Sequence, residues 1–235
     1  MRFTTVVAAV AVAATGAEAL SLPLPIPGWT VSQATGFNLD ISNKYGSPIP
    51  PWKPGHKPGW YYGPGNPFKY PQYPCLGGII CKILPYFPHS LQCPKPIPPK
   101  PPHTTTTTKT VKTTSTKTTT VTVTTTTTAA PTPTPTNGYT PTFSNITAAV
   151  QADDFLTFGL VETIDDCFAM CNSVAGCGFV NTYHDVNGKG GSPDLTCSLF
   201  SKCHGPEDAD NRGGQSQPDG SIDFIIDSDG FCKDT

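Results

Sequence analysis

Thr163-Ile-Asp-Asp-Cys-Phe-Ala-Met-Cys-Asn-Ser-Val-Ala-Gly-Cys177 is the stretch on which the fold of this chain turns. Thr163 is a helix cap, and Asp165 and Asp166 fall in the first turn, where the positive end of the helix dipole favours acids. Ile164, Cys167, Phe168 and Cys171 then recur at i, i+3, i+4 and i+7, one face of a helix that also carries two thiols. Gly176 reads as the stop, because glycine tolerates the left-handed conformation past a helix end. Working outward, Cys177-Gly-Phe-Val-Asn-Thr-Tyr183 reads as a strand with Phe179 and Tyr183 on one face and Val180 on the other. Asp185 to Gly191 is a turn-rich loop, and Leu195 to Phe200 is a second strand. Asp154 to Val161 is a strand leading into the helix, and Ser221 to Ile226 is a closing strand. The expected fold class is α+β, one helix on a short antiparallel sheet. The unit spans residues 137–235, a size at which a core is marginal and disulfides supplement it.

The chain has nine cysteines. Six lie in this unit: Cys167, Cys171, Cys177, Cys197, Cys203 and Cys232. Cys75, Cys81 and Cys93 lie earlier. The start of the chain predicts export. Met1-Arg2 is a positive n-region, Val6 to Ala14 is apolar, and Ala17-Glu-Ala19 suits a signal peptidase, so residues 1–19 read as a signal peptide. That run is too short to span a bilayer, and no other stretch is longer and as apolar, so no membrane span is expected. An exported chain meets an oxidising compartment, so the cysteines are expected in disulfides. Three early cysteines cannot all pair among themselves, which leaves one of Cys75, Cys81 and Cys93 free or linking two copies in a dimer.

The net charge of −2 hides a split. From Leu20 to Thr136 there are ten lysines against one acid, Asp40, whereas from Asn137 onward there are four basic residues against fifteen acidic ones. Residues 20–102 hold twenty of the 27 prolines and all three tryptophans. Proline fixes φ and removes a donor, so this segment is expected to be irregular, largely disordered and without a core of its own. Residues 103–136 are a Thr/Pro-rich linker, a composition that marks O-glycosylated stalks in secreted proteins. Asn145-Ile-Thr147 is an N-glycosylation sequon.

A helix bearing Cys-x-x-x-Cys, a cysteine opening a strand after a short loop, and a cysteine in the next strand together resemble the PAN/apple module, over about residues 153–232. Phe179-Val-Asn-Thr-Tyr-His-Asp-Val-Asn-Gly188, Leu195-Thr-Cys-Ser-Leu-Phe-Ser-Lys-Cys-His204 and Gly213-Gly-Gln215 resemble more narrowly an apple-like group in secreted fungal proteins, including those called fruit-body specific. The resemblance implies the pairs Cys167–Cys197 and Cys171–Cys177, which leaves Cys203–Cys232 as the third. It also implies a binding module for protein or carbohydrate.

Other chemistry is weaker in the sequence. The Cys167, Cys171, Cys177 and His184 set reads as disulfide chemistry rather than a zinc site in an oxidising compartment. Asp185-x-Asn187-x-Lys189 puts lysine at a calcium-ligand position, and no distal glutamate follows. No nucleophile elbow accompanies His184 or His204. The expectation is therefore a secreted protein without enzymatic activity or cofactor. Its expected partner is an extracellular polysaccharide or protein, and its expected location is extracellular or the cell wall. The acidic folded unit argues against nucleic acid. The loop from His184 to Gly191, with His184, Asp185 and Asn187, is the expected contact surface, since loops on a rigid scaffold commonly bind. The alternative is a structural wall or matrix component cross-linked through the Pro/Tyr/Cys-rich N-terminal region.

Overall fold

The computed structural model describes residues 27–63, 72–93 and 136–235. The expected signal peptide, and all of the Thr/Pro-rich linker except Thr136, lie outside the described residues.

The N-terminal part begins with α1 (Val31–Thr35), whose cap is a reciprocal box between Thr30 and Gln33 and whose end is Gly36 in the left-handed region. A 3₁₀ segment, Ile41–Gly46, follows, capped by Asp40. Then come β1 (Tyr61–Tyr62), α2 (Gly78–Ile83) and a second 3₁₀ turn, Leu84–Tyr86. The C-terminal part contributes β2 (Tyr139–Ile146), β3 (Ala149–Val150), β4 (Phe155–Val161), α3 (Ile164–Ser173), β5 (Phe179–Val186), β6 (Leu195–Phe200), β7 (Ala209–Asn211), β8 (Gly213–Ser216) and β9 (Ile222–Lys233). One seven-stranded sheet runs β1-β4-β6-β5-β9-β2, with β8 also on β9, while β3 and β7 form a separate pair. The class is mixed α and β, mostly sheet. Pro141 sits in β2, and β2 is an edge strand, where a missing backbone donor is tolerated.

Helix α3 forms as its local signals dictate. Thr163 Oγ1 accepts from the Asp166 N–H, and Asp166 accepts in return from the Thr163 N–H. Its Cys167, Phe168, Met170 and Cys171 are buried against Val161, Val180 and Leu199 of the sheet. The helix ends earlier than expected. Val174 is the C-cap in extended conformation, and Gly176, at φ +78°, turns the loop that follows. On the opposite sheet face, Phe143, Phe155, Phe158, Phe179 and Phe200 form a second cluster. Strand β9 continues well past the expected Ile226, because its register against β5 and β2 runs on to Cys232 and Lys233.

Four disulfides are present. Cys167–Cys197 ties α3 to β6, Cys171–Cys177 ties α3 to the approach to β5, and Cys203–Cys232 ties the turn after β6 to β9. The fourth, Cys81–Cys93, lies in the N-terminal part and leaves Cys75 free.

The described residues of 20–102, expected to be irregular and to have no core of their own, are packed into a core shared with the C-terminal part. Strand β1 pairs in parallel with β4, Tyr61 beside Leu160. Leu39, Trp60, Leu84 and Leu91 are fully buried and share one cluster with α3. The physical reason is that these apolar residues enter an interior supplied by the C-terminal part, so the prolines between them need only make turns. Gly159 permits a close approach. A Cβ there would stand 2.9 Å from the Trp60 carbonyl oxygen, and that carbonyl accepts from the Leu160 N–H.

Candidate functional site

A groove that gathers several polar and aromatic side chains lies in the N-terminal part, not in the loop after β5. Two distant stretches build it. Strand-like pairing of Asp40 with Ser90, and a hydrogen bond from the Ile41 N–H to the His89 carbonyl at 3.1 Å, bring residues 38–42 against residues 86–90. The result is an open groove of about 420 Å³, lined by Asn38, Asp40, Ser42, Tyr86 and His89 among others. Asp40 is fixed by accepting from the Ser42 N–H at 2.8 Å. Hydrogen bonds from Ser42, side chain and backbone, together with the nearby His89, hold its carboxyl below the ordinary aspartate value. Tyr86 is 53% exposed. Trp29, next in sequence to the groove residue Thr30, is 45% exposed, and Ile41, between Asp40 and Ser42, is 51% exposed. A carboxylate, an amide, an imidazole and a phenol ring thus face solvent along one groove. These groups suit polyhydroxylated ligands, with polar atoms for hydroxyls and a ring for an apolar face.

The residues expected to form the contact surface, His184, Asp185 and Asn187, separate instead of converging, because they lie at the end of a strand whose side chains alternate. His184 is half-exposed and stands 3.3 Å from Asp227. Asn187, at φ +65°, is exposed and its amide donates to the Ile222 carbonyl at 2.9 Å. Asp185 points inward and is 5% exposed. Its carboxylate is therefore turned away from the surface on which His184 and Asn187 lie. Its carboxylate meets the buried Lys189 ammonium and His56, the latter from the N-terminal part. Asn145 is exposed in β2, with its backbone N–H bonded to Asp229.

Aromatic residues of the N-terminal part also divide. Trp60, Tyr61 and Tyr62 are buried, and Trp52 stacks on Phe200 at 6.1 Å between centroids. Phe68 and Tyr70 lie outside the described residues. Among the described residues, no group of three or more His, Cys, Asp or Glu is placed to hold a metal, and no helix is long and apolar enough to cross a membrane.

Neither Asp40 with His89 nor His56 with Asp185 is legible as a pair in the sequence. Each pair is remote along the chain, and neither follows a motif spacing. Only the bracketing of Asp40 by a cap signal, Asp-x-Ser, marks it locally. No family model matches the chain, and no curated protein or solved structure matches it.

Proposed function

We propose that this chain is a secreted, non-catalytic binding protein that holds a carbohydrate of the extracellular matrix or cell wall in the groove between Asp40 and His89. The groove carries the reading, because an exposed Tyr86 ring stands in it with Asn38, Asp40 and His89. Sugars are held by stacking on such rings and by hydrogen bonds from fixed polar groups. Export is supported by the leader-like residues 1–19 and by four disulfides. The resemblance to PAN/apple modules supports binding over catalysis.

Retention of the full secreted chain on insoluble glucan, chitin and cellulose tests the proposal. The wild type is retained on one of them, and Tyr86→Ala lowers that affinity by up to about tenfold, the equivalent of one lost stacking contact. Failure of all three matrices, or retention of Tyr86→Ala equal to wild type, overturns it.

A second reading, a wall component cross-linked between copies, is favoured by one observation: Cys75 is free and partly exposed. Burial raises its thiol above the ordinary cysteine value, which slows thiolate chemistry. A dimer on non-reducing gels that Cys75→Ser abolishes supports this reading, and a monomer throughout removes it.

A further inference from the structure

The cluster of Asp185, Lys189 and His56 plays no part in the groove. It lies where the end of β5 meets the N-terminal part. The side chains of Lys189, Asp185 and His56 are 1%, 3% and 6% exposed. Lys189 Nζ donates to Asp185 Oδ2 and stands 2.5 Å from His56 Nε2. His56 Nδ1 is 2.5 Å from the Lys53 carbonyl, an acceptor, so Nδ1 carries the hydrogen and Nε2 presents a lone pair to the amine. Phe158, itself fully buried, closes the site, with Lys189 Nζ 5.5 Å from its ring centroid and His56 edge-on to it.

Two features make this a poor resting place for an ion pair. Both charges are withdrawn from water, a desolvation penalty that their mutual attraction only roughly offsets. Asp185 Oδ1 is buried with no hydrogen-bond partner, which a carboxylate oxygen tolerates badly. Asp223, also buried, does not supply one, since its Oδ1 accepts from the Gln215 N–H at 2.5 Å. The loop is nevertheless built to press the two groups together. Asn187, Lys189, Gly190 and Gly191 all have positive φ, which turns Lys189 back inward. A Cβ at Gly188 would collide with the Asp185 carboxyl.

We propose that Asp185 and Lys189 join in an intramolecular side-chain amide, with His56 carrying the protons. His56 Nε2 takes one proton from the Lys189 ammonium and delivers it to Asp185 Oδ2, 3.8 Å away. That leaves a neutral amine beside a neutral acid. Burial favours this step at Lys189, whose ammonium it holds below its ordinary value against the pull of Asp185 and Asp223. At Asp185 burial pushes the same way, but the contacts with His56 and Lys189 outweigh it and hold the carboxyl below its ordinary value, so the transfer rests on the close placement of the three groups. The Nζ lone pair then attacks Asp185 Cγ, the C–N bond forms, and the carbonyl π pair moves onto Oδ1. His56 carries a second proton from Nζ to Oδ2, the Cγ–Oδ2 bond breaks, and Oδ2 leaves as water. One ammonium and one carboxylate become one amide and one water, and no oxidant or co-reactant is consumed. The bridge spans four residues within one loop, so it locks the surface on which His56 docks.

Peptide mass spectrometry of the full secreted chain tests this. After reduction, chymotrypsin releases His184–Leu195, cut after Tyr183 and Leu195. The expected peptide is lighter than its sequence by one water, resists trypsin after Lys189, and gives no fragments from within the Asp185–Lys189 ring. A peptide of full mass that trypsin cuts at Lys189 overturns the proposal. Lys189→Arg keeps the cation and restores full mass. Water loss that persists in Lys189→Arg also overturns it, because a cyclic imide at Asp185 then accounts for the mass. His56→Gln leaves a large unreacted fraction, and complete reaction in that variant removes His56 from the mechanism.

Discussion

His204 is bracketed by two carboxylates, Asp208 at 2.8 Å from Nδ1 and Asp154 at 3.0 Å from Nε2. Its ring lies edge-on to Phe179 and Phe200. Asp154 does most of the tying. It accepts from the Lys202 N–H at 2.7 Å and the Ser201 hydroxyl at 3.2 Å, next to the Cys203–Cys232 bond. Burial works against its ionisation, but the Lys202 N–H, the His204 ring and the Ser201 hydroxyl outweigh burial and hold the carboxyl below its usual value. A depressed folded-state value stabilises the fold above the unfolded value of about 3.9 and is lost as pH falls below it. Melting temperature followed from pH 5 downward should therefore fall less steeply in Asp154→Asn than in wild type below about pH 4. Equal slopes in the two proteins would remove Asp154 from the acid response. None of this is visible in the sequence, where His204 is one histidine after a cysteine and Asp154 is fifty residues away.

Helix α3 is legible in the sequence because everything that specifies it is local. Cap, acidic first turn and apolar face all fall within ten residues. Strands β4, β5 and β6 are legible for the same reason, as runs of alternating or continuous apolar residues. Strands β1 and β7, only two and three residues long, leave no such pattern. They exist because a neighbouring strand already offers free donors and acceptors. The cysteines of α3 then convert a local element into a tertiary one. Cys167–Cys197 closes a loop of sequence separation 30 between the helix and the middle of the sheet. Chain-entropy reasoning assigns such a closure about 3–4 kcal/mol. The double variant Cys167→Ala/Cys197→Ala should lose about that much in denaturant unfolding. A loss below about 1 kcal/mol would show that packing of Phe168 and Met170 holds the helix without it.

At the scale of the whole molecule, the main departure from expectation is that the described residues 27–63 and 72–93 share one interior with 136–235. The pattern of prolines and aromatics argues against long helices and central strands, and the α-helices among its described residues, α1 and α2, are five and six residues long; it does not announce what the apolar residues seek. Trp60, Leu39 and Leu91 have too few neighbours of their own to form a core and complete one contributed by α3 and β4. A fragment beginning at Asn137 should therefore expose the Val161 and Met170 surface, bind an apolar dye and melt lower than the full chain. Adding a peptide of residues 27–93, oxidised at Cys81–Cys93, should reverse both effects. A fragment that melts like the full chain would restore the picture of a self-sufficient C-terminal module. Both residues that flank 94–135, a tract outside the described residues, are tied to the shared interior: Cys93 packs against the common cluster, and Thr136 pairs with Tyr139, a member of it. All four disulfides lie on one side of the tract or the other. By covalent geometry alone, the 42 residues from 94 to 135 can span at most about 140 Å, at about 3.3 Å per residue. During folding in a crowded secretory compartment, the front piece of one copy can seat itself on its neighbour, and reciprocal exchange yields an intertwined pair without a single new contact. Such pairs would come apart in denaturant alone, with no reductant needed.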